Sequence, residues 1–126
     1  MTPFGARVRA LRQRKGVTLK DMAKALKLSA AYLSALEHGH RGRPSPALVV
    51  QICEYFHLIW DDYEQMHRLA RLSHPRVIVD TSGLRPAATE LANLLAERIA
   101  ALDPPTMAKV RRLLVAPRRA RKRVAT

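Results

Sequence analysis

Aromatic side chains are scarce in this 126-residue chain, which has two Phe, three Tyr and one Trp. Single-stranded nucleic acid is held by stacking its bases on aromatic platforms, so that mode of binding is poorly supplied. Cysteine is nearly absent as well. Cys53 alone can neither close an internal disulfide nor build a thiolate metal cluster, which fits a reducing compartment. No run of 18 apolar residues occurs, so no membrane-spanning helix is expected. The opening MTPFGARVRALRQRKG lacks the apolar stretch of a secretory leader, and the expected location is cytoplasmic. There is no Ser–His–acid order, no Gly-rich phosphate loop and no HExxH, so neither catalytic residues nor a cofactor are expected.

Negative charge is the other shortage. Ten Asp and Glu face 23 Lys and Arg, a formal net charge of +13, and such an imbalance calls for a polyanionic partner. Its distribution is informative. Residues 1–44 carry 10 basic and 2 acidic side chains, and residues 106–126 carry 8 basic and none acidic. The stretch between them is mildly acidic, unlike a uniform solubilising coat. Apolar residues make up 48% of the chain, enough for a packed core.

Thr2-Pro3 reads as a helix cap followed by proline at the first helical position, and Phe4, Val8 and Leu11 form the inner stripe of a helix ending at Gly16. Thr18 with Asp21 resembles a capping box, opening a helix that buries Met22, Ala23 and Leu26. Ser29 caps a third helix with Leu33 and Leu36 inside, stopping at Gly39. After the loop HGHRGRPS, Ser45-Pro46 starts a fourth helix, and residues 61–73 fit a fifth with Asp61, Asp62 and Glu64 in its first turn. These carboxylates read as first-turn charge rather than a catalytic pair. Residues 76–80 are β-branched enough for a short strand, which is either an extended linker or paired with its copy in a second subunit. From Pro86 a helix is expected to about Leu102, with Leu91, Leu94, Leu95, Ile99 and Leu102 as an apolar dimerisation face. Pro104-Pro105 ends it, and Thr106 can cap a short helix through Leu114. The expected organisation is a five-helix unit over 1–73, a linker over 74–85, a helical oligomerisation region over 86–116 and a disordered basic tail over 117–126.

Two capped helices joined by a tight turn within residues 18–37, with the small Ala23 at their crossing, match a helix-turn-helix. The residues Gly16-Val17-Thr18-Leu19, Met22-Ala23, Leu28-Ser29, Tyr32-Leu33-Ser34, Leu36-Glu37-His38-Gly39 and Pro44-Ser45 resemble the Cro/CI-type (XRE) family of DNA-binding regulators over about residues 4–60. The resemblance implies an all-α, five-helix, lambda-repressor-like domain that binds double-stranded DNA. Thr18, Leu19 and Lys20 would lie at phosphate. Ser29, Ala30, Ala31, Tyr32, Ser34 and Ala35 would face the major groove. His38, His40, Arg41 and Arg43, in and beside the loop after Gly39, would follow the backbone. It also implies an ion pair between Arg12 and Glu37, which takes both off the contact set.

Two departures stand out. Lys27 occupies a turn position where the family often has glycine. Positions 30, 31 and 35 are alanine and position 19 is leucine, so base-edge hydrogen bonding is thin and thymine methyls and DNA shape gain weight. Tyr32 has an alternative reading as a partly buried packing residue. Cys53 reads as a small buried hydrophobe, and His38 with His40 lacks the further ligands of a metal site. The expected protein is a homodimeric, nucleoid-associated repressor. Its competitors are an antitoxin whose C-terminal segment binds a toxin, and a low-specificity architectural DNA-binding protein.

Overall fold

A computed structural model describes residues 1–117. Among them the chain is all-helical, in agreement with the all-α expectation, and it divides into two compact units, Met1–Ile78 and a second that begins at Val79. The division falls inside the segment set apart as a linker. The basic tail, beyond Pro117, lies outside the described residues.

The first unit holds α1 (Pro3–Lys15), α2 (Leu19–Ala25), α3 (Ala30–Glu37), α4 (Pro46–Tyr55) and α5 (Trp60–Arg71). Each of the first four begins on a side-chain cap: the hydroxyls of Thr2, Thr18, Ser29 and Ser45 accept from the backbone N–H three residues on. At α2 both halves of the capping box are made, with Asp21 accepting from Thr18 N at 3.2 Å. Phe4, Val8, Leu11, Met22, Ala23, Leu33, Leu36, Val49, Ile52, Cys53 and Met66 form one buried core, so all five helices contribute. Cys53 is inside it, and burial pushes its thiol up from its ordinary range.

Helices α2, α3 and α4 end in the same closure. The second residue past the cap donates back to the carbonyl three residues before the cap: Leu28 to Ala23 at 2.8 Å, His40 to Ala35 at 2.8 Å and Leu58 to Cys53 at 2.9 Å. The residue between is left-handed in each case, and is Lys27 (φ 59°), Gly39 (φ 83°) and His57 (φ 57°). The structure thus resolves the departure at position 27: the lysine adopts the conformation that glycine adopts without strain. The third helix ends at Glu37 with His38 as its cap, and Gly39, read from the sequence as its stop, is the left-handed residue that follows.

In the second unit, α6 (Pro86–Arg98) passes into a 3-10 turn (Ile99–Ala101), and α7 spans Pro104–Val115. The single helix expected to Leu102 is therefore shorter. Residues before a proline avoid helical backbone, and Leu102 (ψ 134°) and Asp103 (ψ 161°) are both extended ahead of Pro104. Asp103, rather than Thr106, caps α7 by accepting from Thr106 N at 2.8 Å, and Pro104 starts this helix as well as stopping the one before. Residues 76–80 form no strand within the chain. Neither α6 nor α7 contains a buried residue.

Candidate nucleic-acid interface

Helix α3 is held by its C-terminal end. Glu37 is buried, and its carboxylate takes both ends of the Arg12 guanidinium, Nε to Oε2 at 3.2 Å and Nη2 to Oε1 at 3.3 Å. Such a fork-to-fork pair fixes orientation as well as charge. The Glu37 carbonyl accepts from Thr2 N at 3.0 Å, and Gly5 lets α1 lie directly against the Glu37 backbone, where any Cβ would overlap it. The α1 start is tied in turn to α5, since Phe4 N donates to the buried Ser73 Oγ at 2.9 Å, which donates to Leu69 O at 2.6 Å. The N-terminal half of α3 is left outward on a rigid mount.

The outward residues there are Ser29, Ala30 and Ala31, all exposed. The Ser29 hydroxyl oxygen accepts from Tyr32 N, leaving its O–H free to donate. Thr18 is placed in the same way at the start of α2, beside the exposed Lys20. Ser34 and Ala35 are half-buried, and the Ser34 carbonyl lies 2.9 Å from Nδ1 of the exposed His38, whose ring is 6.3 Å from that of His40. Two members of the sequence-derived set face inward. Leu19 and Tyr32 pack against the core, so the packing role weighed for Tyr32 is present. Its ring still carries the Arg41 guanidinium, 5.5 Å from the centroid, which couples the loop after Gly39 to α3. Arg43 is exposed and borders a shallow cavity of about 280 Å³ together with Pro44, His67 and Arg71.

The charge on this unit is largely unspent. Among the described residues the one salt bridge is Arg12–Glu37. Lys15 is also committed: its Nζ donates to Tyr55 O at 3.0 Å and sits 4.5 Å from the Tyr55 ring centroid, closing the C-terminal end of α4. Arg9, Arg14, Lys20, Lys24, Lys27, Arg41 and Arg43 stay exposed with no ion pair. Lys24, in the last turn of α2, and Lys27, in the turn between the two helices of the motif, are not in the sequence-derived contact set; the segment charge alone pointed to them as phosphate ligands. Asp21 is the acidic residue of α2, and its carboxylate accepts from the Thr18 backbone; the Thr18 hydrogen bonds hold it below the usual carboxylate range and ionised.

Five of these cations, Lys20, Lys24, Lys27, Arg41 and Arg43, lie on α2, in the turn or in the loop after Gly39 and can take phosphates, while the alanines offer methyl groups and close approach in place of hydrogen bonds. Among the described residues no group of three or more His, Cys, Asp or Glu is placed to hold a metal ion, and no helix is long and apolar enough to cross a membrane.

Comparison with known proteins agrees with this geometry. The HTH-type transcriptional repressor RghR of Bacillus subtilis is 39% identical over 54 residues, which is 43% of this chain and 40% of the repressor. The HTH-type transcriptional regulator DdrOP3 of Deinococcus deserti is 52% identical over 42 residues, 33% of this chain and 30% of that one. The uncharacterized HTH-type transcriptional regulator YazB of Bacillus subtilis is 36% identical over 59 residues, 47% of this chain and 84% of its own length. The chain thus spans about two-fifths of the length of RghR. No solved structure matches the chain. The family described as helix-turn-helix domain matches residues 3–65, half of the sequence. The chain belongs to the helix-turn-helix domain family, in its XRE type.

Proposed function

We propose that this protein is a sequence-specific double-stranded DNA-binding transcriptional regulator that acts as a homodimeric repressor. The observation that carries the reading is the set of five exposed cations, Lys20, Lys24, Lys27, Arg41 and Arg43, on α2, in the turn and in the loop after Gly39, none of them ion-paired among the described residues, beside the anchored α3. Thr18, Lys20, Lys24, Lys27, His38, His40, Arg41 and Arg43 take the phosphates, and the exposed start of α3 enters the major groove with Ser29, Ala30 and Ala31 leading. Ser34 and Ala35 line the inner edge of that contact. Leu19 and Tyr32 act as its support, Tyr32 by positioning Arg41. Repression is proposed by analogy with RghR, a transcriptional repressor, and needs only occlusion of a promoter.

Dimerisation is supported by the second unit. Leu91, Leu94, Leu95 and Ile99 are 38–65% exposed on a unit that buries nothing of its own. Helices with that much bare apolar surface need a partner, and a second copy supplies one by symmetry. A toxin-like protein partner on the same face is the competing assignment.

Selection from randomised duplexes tests the proposal. The expected motif has two half-sites related by a dyad, with centres about 34 Å or a multiple apart. The chosen site should outbind random duplex by more than about 10³ at fixed salt, and Ala31→Gln should change the selected bases. A lower ratio with no dyad favours the architectural reading.

A further inference from the structure

Among the described residues, Arg76-Val77-Ile78-Val79-Asp80 holds the most exposed run of three consecutive apolar side chains. Val77, Ile78 and Val79 are 75%, 94% and 65% exposed, and among the described residues none of the three makes a backbone hydrogen bond. Three consecutive β-branched residues favour a strand, and an unpaired apolar strand invites another chain. The order of the five residues says which chain. It reads cation, valine, isoleucine, valine, anion, and it is complementary to its own reverse.

Laid antiparallel on a second copy about Ile78, Arg76 faces the partner's Asp80, Val77 faces the partner's Val79, and Ile78 faces the partner's Ile78. A parallel arrangement would set Arg76 against the partner's Arg76 and Asp80 against the partner's Asp80. A slip of one residue would separate the charges and move each side chain to the other face. Only the antiparallel, centred register gives two ion pairs flanking an isoleucine pair on one face and four valines on the other. The segment has no net charge, which disfavours a nucleic-acid occupant. Asp80 is prepared for the pairing: its Oδ1 already accepts from Ser82 N at 2.9 Å, and these Ser82 contacts keep the carboxyl below its ordinary range and ionised.

We infer that residues 76–80 form an intermolecular β-ribbon, pairing antiparallel with the same segment of a second copy about a two-fold axis at Ile78. The inference rests on the homodimer reading and adds a second contact to it, independent of the α6 face. The ribbon would also fix where each DNA-binding unit ends, directly before a shared, paired segment.

The test uses the full chain. Facing residues in an antiparallel pair have Cα atoms about 4.5–5.5 Å apart, within disulfide range, whereas diagonal neighbours stand about 7–8 Å apart and exceed it. Under mild oxidation Ile78→Cys should cross-link to itself, and Val77→Cys alone should not. A mixture of Val77→Cys and Val79→Cys should form the mixed dimer. The parent, with Cys53 buried, is the uncross-linked control. Sedimentation equilibrium supplies the second arm: Arg76→Asp or Asp80→Arg alone should weaken dimerisation about tenfold, and the double exchange should restore it. A dimer in which Ile78→Cys fails to cross-link, or Val77→Cys cross-links equally well, overturns the ribbon and leaves the dimer standing. A monomer at every concentration overturns both.

Discussion

Replacing Gly5 by alanine attacks the seam that orients α3. A Cβ there would stand 2.7 Å from both Cα and the carbonyl carbon of Glu37, and closer still to its carbonyl oxygen. Ordinary contact begins at 3.4 Å, so α1 and the end of α3 must part by at least about 0.7 Å to clear the two carbons and by more to clear the oxygen, and the obstruction is backbone that has no rotamer to turn away. Overpacking of this kind costs about 1–3 kcal/mol. The same shift strains the 3.0 Å bond from Thr2 N to Glu37 O, whose loss would leave a buried N–H unsatisfied at about 1–3 kcal/mol. Together about 3–4 kcal/mol is expected, against about 4–12 kcal/mol of total stability for a unit of 78 residues. Urea unfolding followed by far-UV circular dichroism should show the midpoint falling by about 2 M at a slope of about 1.5 kcal/mol per M. An alanine variant within about 0.5 kcal/mol of the parent would refute the claim that glycine is needed for this approach.

Lys27→Gly should stabilise the protein by about 0.5–1 kcal/mol, because relief of the left-handed strain exceeds the added chain entropy; thermal unfolding should rise by a few degrees, and a fall would show that the lysine is not strained. Ser73→Ala removes the acceptor of the Phe4 N–H and should cost about 1–2 kcal/mol, with the Phe4 amide losing its hydrogen-exchange protection. Acid should weaken the start of α2. The folded-state pKa of Asp21 is depressed below 3.8, so the stability it contributes is present above that value and is lost as pH falls through the folded value. Asp21→Ala should remove this part of the acid dependence, read by comparing unfolding midpoints at neutral pH and below pH 3.8.

What the sequence discloses and what it hides follows from the range of the interactions. Thr2, Thr18, Ser29 and Ser45 announce their helices because a cap is made within three residues. The left-handed lysine and histidine are invisible to that reading. Their closures are held by Leu28 and Leu58 packing on the core, a tertiary effect that overrides the local preference for glycine. Helix ends near proline are ambiguous for a definite reason: Pro104 both stops one helix and starts the next, so Asp103 is the cap and Leu102 leaves the helical register. At the site, the Arg12–Glu37 pair follows from the family resemblance alone, since its partners are 25 residues apart. Lys15 looks like another free cation until the fold brings Tyr55 beneath it. An eight-residue helix turns too few times for its pattern to say that Tyr32 packs inward while Ala30 and Ala31 face out.

The central claim is that DNA meets the exposed starts of α2 and α3 and the loop after Gly39. Titrating isotope-labelled full-length protein with its selected duplex and following backbone amide shifts tests it directly. Perturbations should concentrate at Thr18–Lys20, Ser29–Ala31 and His40–Arg43, and Arg41→Ala with Arg43→Ala should lower affinity and flatten its salt dependence. Shifts concentrated instead on the exposed residues of α5, with affinity indifferent to those arginines, would contradict the assignment.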